Sequence, residues 1–259
     1  TPIKSSAASD VYKRQKQNRL PKMNILTAIC ERLNIPTERI VENSGSGIND
    51  QFNAIVNELI AGKYETAAET LNKIPVKKLE SDFDKQRYYY LLGMVQVKSN
   101  KIDEAIFNFE LVLTQFATTS ANIYLAMTTA GMALAYYKRD DPERAARLTD
   151  RAVRLIDNKK LIGSLHQWAL IYCQLGELYS NLGSYKDSKD IVERGIELCR
   201  EHDSLFILDE LYLIRGKDEL ALGEDKQAKE TLEIARSISI ARRESFVKDE
   251  IAAELKKLK

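Results

Sequence analysis

One small residue recurs along this chain at a nearly constant interval, and that interval restricts the possible folds more than any other feature. Ala67, Ala105, Ala145, Ser188 and Ala228 lie 38, 40, 43 and 40 residues apart. The neighbours of each keep register. Five positions before them stand Gly62, Asn100, Asp140, Gly183 and Gly223, all types that tolerate the positive φ of a tight turn. Four positions after come Leu71, Phe109, Thr149, Val192 and Leu232; seven after come Ile74, Val112, Ala152, Gly195 and Ala235. Twelve before come Ile55, Gly93, Ala133, Gly176 and Gly216, small in all but the first. Spacings of three, four and seven place side chains on one helical face. Each unit therefore predicts two helices folded back at the turn, large side chains meeting small ones where they cross.

The copy from Leu170 to Gly195, LIYCQLGELYSNLGSYKDSKDIVERG, is the clearest. Tyr172, Leu175, Gly176 and Tyr179 share a face of the first helix, and Tyr185, Ser188, Val192 and Gly195 line the second. This spacing resembles the tetratricopeptide repeat, whose first helix reads apolar-x2-Leu-Gly-x2-Tyr and whose second reads small-x3-large-x2-small, although that repeat is commonly only about 34 residues long. The resemblance implies an all-α fold: a right-handed superhelical solenoid of about five helix hairpins over 50–241. Beyond it, Val247, Ile251, Leu255 and Leu258 predict a C-terminal capping helix over 242–259. Its last turn carries Lys256, Lys257 and Lys259, cations that suit a helix C-terminus.

Composition narrows the function classes. A net charge of +1 over 259 residues, 30% of them charged, sets up no general field for nucleic acid or acidic membrane. Cys30, Cys173 and Cys199 are odd in number and make no CxxC, which predicts buried free thiols in a reducing, cytoplasmic compartment. No apolar run is long enough to span a membrane, and no signal peptide is visible. The two histidines, His166 and His202, are too far apart for a local metal or triad motif, and neither GxGxxG nor a P-loop occurs. These readings predict a protein that is not an enzyme and needs no cofactor or metal.

The N-terminal segment differs from the repeats. Within residues 1–15, SAASDVYKRQ resembles a translated sequencing adapter, so a non-native leader is expected there; the other reading is a basic arm formed by Lys13, Arg14, Lys16, Arg19 and Lys22. Residues 16–43 carry Pro21, Ile25, Leu26, Ile29, Leu33, Asn34, Ile35 and Pro36. That pattern resembles the last two helices of a Cro-type helix-turn-helix domain. In that family the groove-reading helix comes first. Nothing before Lys16 fits it, so a remnant of the DNA-binding domain is expected, the other reading being a helical cap on the solenoid. Asn43–Asn49, NSGSGIN, reads as a linker.

In such solenoids the first helices line a concave groove that takes extended peptides. The candidate peptide-binding residues, set beside the packing stripe, are Arg87, Tyr90, Met94, Tyr137, Lys138, Glu177, Asn181 and Lys217. The Asn181 amide is suited to a peptide bond, and Arg87, Lys138 or Lys217 to a terminal carboxylate. Together the two resemblances point to the peptide-pheromone regulators of Gram-positive bacteria, the Rgg-like and PlcR-like proteins. Membership would imply a cytoplasmic homodimer acting in quorum sensing: a short signalling peptide fills the groove, and DNA is engaged only through a complete N-terminal domain. Two other classes stand beside this one: a scaffold that holds a protein partner such as a response regulator, and an enzyme built from scattered carboxylates.

Overall fold

A residue in the left-handed region is expected at each hairpin turn, and the backbone has one at all five. Gly62, Asn100, Asp140, Gly183 and Gly223 have φ of 70°, 60°, 65°, 79° and 76°. The structure, a computed structural model, describes residues 47–258 except 80, 117–122, 159–160 and 243–244. The expected leader (1–15), the helix-turn-helix remnant (16–43) and Cys30 lie outside the described residues.

Helices make up the regular structure of the described residues. The hairpins are α1 (Ile48–Ile60) with α2 (Tyr64–Asn72), α3 (Asp82–Lys98) with α4 (Ile102–Gln115), α5 (Tyr124–Lys138) with α6 (Pro142–Asn158), α7 (Leu165–Asn181) with α8 (Tyr185–Glu201), and α9 (Leu208–Ala221) with α10 (Asp225–Ala241). A single helix, α11 (Lys248–Lys257), follows. In the second to fifth hairpins each first helix packs on its own second helix, and successive first helices α3, α5, α7 and α9 pack side by side. This is the predicted tetratricopeptide-like solenoid.

The interlock follows the register. Ala67, Ala105, Ala145, Ser188 and Ala228 are all fully buried. Where the first helix carries glycine, the partner's large residue fills the gap. A β-carbon added to Gly93 would fall 2.4 Å from the Phe109 ring, and one added to Gly216 would fall 2.7 Å from Leu232. In the fourth hairpin the Ser188 hydroxyl reaches the Gly176 carbonyl at 2.9 Å and Oδ2 of buried Asp218 at 2.5 Å. It thereby ties α7, α8 and α9 together. A buried hydroxyl is tolerated at this crossing because its polar atom is satisfied.

Helix starts depart from expectation where capping chemistry decides them. The first helix begins at Ile48, inside the expected linker, with Asp50 in its first turn to complement the dipole. The fourth hairpin begins at Leu165, where Ser164 and Gln167 form a capping box that satisfies two backbone N–H groups. The fifth begins at Leu208, after Ile207 at φ 45°. A β-branched residue is costly in that conformation; Ile207 is held there by full burial among Ala169, Ile196, Cys199 and Leu211. The last helix starts at Lys248, not Arg242. It covers the end of the stack by packing Ile251 and Leu255 against Leu213, Leu232 and Ala235.

The two ends of the repeat region also touch. Ile60, at the end of α1, packs against the core cluster of α7, α8 and α9. In the following turn Gly62 lies under the ring of Phe246, so close that a β-carbon there would fall 2.2 Å from it. The first hairpin thus meets the connection that precedes α11.

Candidate functional site

The inner face divides into a filled half and a polar half. In the filled half, Arg87 is buried, its guanidinium 4.7 Å from the Phe52 ring centroid and 6.0 Å from that of Phe83. Its Nη2 donates to Asn53 Oδ1 at 3.3 Å. Cation–π contacts gain strength when desolvated, so this arginine clamps α1 to α3. Tyr90 is buried against Phe109 and Tyr124, and burial pushes its phenol pKa upward. Next to them α5 is enclosed, with Met127, Ala130 and Leu134 all buried. Small residues let neighbouring first helices close over it.

Half-buried Met94 of α3 marks the edge of this packed region. Its Sδ receives Gln174 Nε2 of α7 at 3.8 Å, a contact that reaches past α5. From there a polar row runs along one face of α7: Gln174, Glu177 and Asn181, with Cys173 beside it. Gln174 is only 9% exposed. Glu177 is half-buried and Asn181 exposed. Burial, then the charges of Glu210 and Glu177, hold the Cys173 thiol well above its usual pKa, while Lys98 of α3 acts in the opposite sense. Such a thiol is inert.

Beside the row, α9 presents a buried charge cluster. Asp209 is fully buried; Arg242 Nη1 donates to its Oδ1, and Ser245 Oγ donates to its Oδ2 at 2.5 Å. The same Arg242 nitrogen lies 3.7 Å from Glu210 Oε1, a buried atom with no hydrogen bond. Burial, followed by the Asp209 charge, raises the Glu210 pKa to about 7, against the opposing pull of Arg242. One arginine thus serves two carboxylates and favours Asp209.

The remaining candidates lie at the ends of these helices. Lys138 is exposed and its Nζ lies 3.4 Å from the Val97 carbonyl, where it satisfies the end of α3. Tyr137 is half-buried at the end of α5. Lys217 pairs with Glu250 of α11 at 2.9 Å. Burial opposes its charge, but that bond and the fields of Glu250, Glu254 and Glu177 outweigh it and raise its pKa. Met94, Glu177 and Asn181 therefore fall in one region, whereas Arg87 and Tyr90 are built into the core and Lys138 and Lys217 are already paired. Sequence reasoning missed Gln174, Glu210 and Arg242. Gln174 was legible only as a polar residue one turn before Glu177 on a first helix.

Two stretches of the chain, residues 86–119 and 169–202, match the tetratricopeptide repeat family. Among curated proteins none matches the chain by sequence. Solved structures resemble it in fold. PlcR of Bacillus thuringiensis, crystallised with the peptide PapR7 and DNA, superposes with a TM-score of 0.70 at 15% identity, covering 94% of this chain and 89% of PlcR. A signal-transduction ATPase with a tetratricopeptide repeat sensor from Pyrococcus horikoshii gives 0.58 at 15% identity, covering 80% of this chain and 32% of its own. The apo form of RapI gives 0.51 at 13% identity, covering 96% of this chain and 69% of RapI. At such identities the likeness is one of architecture, and the architecture is a stack of tetratricopeptide-type helix hairpins.

Proposed function

We propose that the repeat stack is the peptide-sensing regulatory domain of a cytoplasmic transcriptional regulator, acting as a homodimer. A short signalling peptide binds along the inner face of the later hairpins, and its binding energy biases the arrangement of an N-terminal helix-turn-helix domain to which residues 16–43 belong. The observation that carries this reading is the row Gln174, Glu177 and Asn181 on α7, facing Met94 of α3. A first helix that packs its other side into the core presents amide and carboxylate groups there that α8 and α9 do not satisfy. Amides of this kind offer both a donor and an acceptor to an extended backbone. The likeness of fold to PlcR, crystallised with a peptide, supports the same reading. A peptide shifts the protein only as far as its affinities for two arrangements differ.

Thermal unfolding in the presence of synthetic peptides of about five to ten residues tests the proposal, since a ligand of the native state raises the midpoint by mass action. A rise that is lost in Asn181→Ala and Met94→Ala supports it. Stabilisation by a folded protein while peptides are inert would support the scaffold reading instead. That second reading draws on Phe107 of α4 and Ile240 of α10, which are 62% and 59% exposed on second helices.

A further inference from the structure

We propose that the inner face selects a peptide bearing a positive charge, a lysine or arginine side chain or a free α-amino group, seated between Glu177 of α7 and Glu210 of α9. This inference rests on the peptide-binding reading above and specifies its ligand. The charges meeting on this face are Glu177, Asp209, Glu210, Lys98, Lys217 and Arg242. Three of them are committed: Arg242 to Asp209, and Lys217 to Glu250. Glu177 has no ion-pair or hydrogen-bond partner among the described residues, and it lies on α7, which packs beside the α9 that carries Glu210. Glu210 keeps Oε1 buried without a hydrogen bond, its nearest cation 3.7 Å away and bound elsewhere. Glu177 is thus left without a cation and Glu210 with one it shares with Asp209, while among the described residues Lys98 is the cation of this group that has no ion pair, and the balance favours a cationic guest.

Gln174 is an independent pointer to a ligand at the same place. Its side chain is only 9% exposed, one helical turn from Glu177, and its amide has no oxygen or nitrogen partner among the described residues, only the Met94 sulfur at 3.8 Å. A primary amide held so deep normally has stronger partners. A peptide bond passing Met94 would supply them and carry its neighbouring side chain to Glu177. Removing a partly desolvated carboxylate from such a pair weakens binding mainly through the cation left unpaired. The side chains expected to donate to a terminal carboxylate, Arg87, Lys138 and Lys217, are engaged with Asn53, the Val97 carbonyl and Glu250, so this half of the groove reads cations.

The test uses the full chain and three short-peptide pools of mixed sequence, each with one position fixed as Arg, Glu or Leu. Binding is read by the fluorescence of Trp168, the single tryptophan, which lies on α7. The Arg pool is expected to bind best, and Glu177→Gln with Glu210→Gln to weaken it by about tenfold or more, a loss at least several-fold larger than the Leu pool suffers. Circular dichroism confirms the fold of that variant, and the half-exposed Glu177→Gln alone serves if the pair is unstable. Equal binding of the Arg and Leu pools, both sensitive to Met94→Ala, would overturn the charge selection and leave the peptide groove standing. Preference for the Glu pool would reassign the site to Lys98 and overturn it as well. No binding by any pool would overturn both readings.

Discussion

A β-carbon built on Gly176 lies 2.3 Å from Cγ2 of Val192, so the fourth hairpin closes only because the first helix has no side chain at that point. Val192 is fully buried, and β-branched residues in helices have little rotamer freedom to give way. Gly176→Ala is therefore expected to cost about 1–3 kcal/mol by overpacking. Val192→Ala leaves a cavity by itself, but in the Gly176→Ala background it should be less harmful than the sum of the two. Urea denaturation across this double-mutant cycle reads the coupling; additive values would show that the contact does not limit the packing.

Gly62 and Gly183 share nearly the same left-handed conformation, with φ of 70° and 79°. Around Gly183 an added β-carbon meets nothing within 4 Å, whereas around Gly62 it strikes Phe246. Gly183→Ala should cost about 1 kcal/mol for its backbone alone, and Gly62→Ala visibly more. Phe246→Ala should erase the difference. Thermal midpoints of these variants would expose equal costs, which would mean that the first hairpin does not touch the connection before α11.

Arg242 holds a carboxylate that has no access to solvent. Arg242→Met leaves Asp209 buried and uncompensated, a loss expected to be about 3–5 kcal/mol. Adding Asp209→Asn should restore much of the stability, because the charge that required the arginine is then gone. Chemical denaturation of the single and double variants checks this, with no recovery in the double variant as the contrary result.

Glu210 should make stability fall as pH rises. Its carboxyl titrates at about 7 in the fold against an ordinary 4.5, chiefly through burial. Between those values the folded chain retains a proton that the unfolded chain has released, so stability declines across the window and levels off above it. The full decline is on the order of 3 kcal/mol for this one group. Glu210→Gln should match the parent near pH 5 and be the more stable of the two near pH 8. Melting curves that stay parallel across this range would refute the shift.

The hairpins were legible because their determinants are local. A left-handed turn, a small residue five positions later and a large one four beyond that act within one pair of helices, so Gly183, Ser188 and Val192 predict the closure of their own hairpin, though not the bond from Ser188 to Asp218 of the next. Helix starts were less legible. The capping box of Ser164 and Gln167 is a short-range signal that was overlooked, and the position of Ile207 is imposed by the core around it.

What the chain determined by itself was the periodic interlock: which residues turn, which are buried and which pairs of helices must close. Only the tertiary structure decided which first-helix residues remain open to a ligand. Arg87 has the composition of a binding residue, but Phe52 comes from another hairpin to enclose it. Met94 and Gln174 meet across 80 residues of sequence. Stacking repeats sets such distances through the accumulated rotation of each hairpin on the last, a quantity that no single repeat encodes.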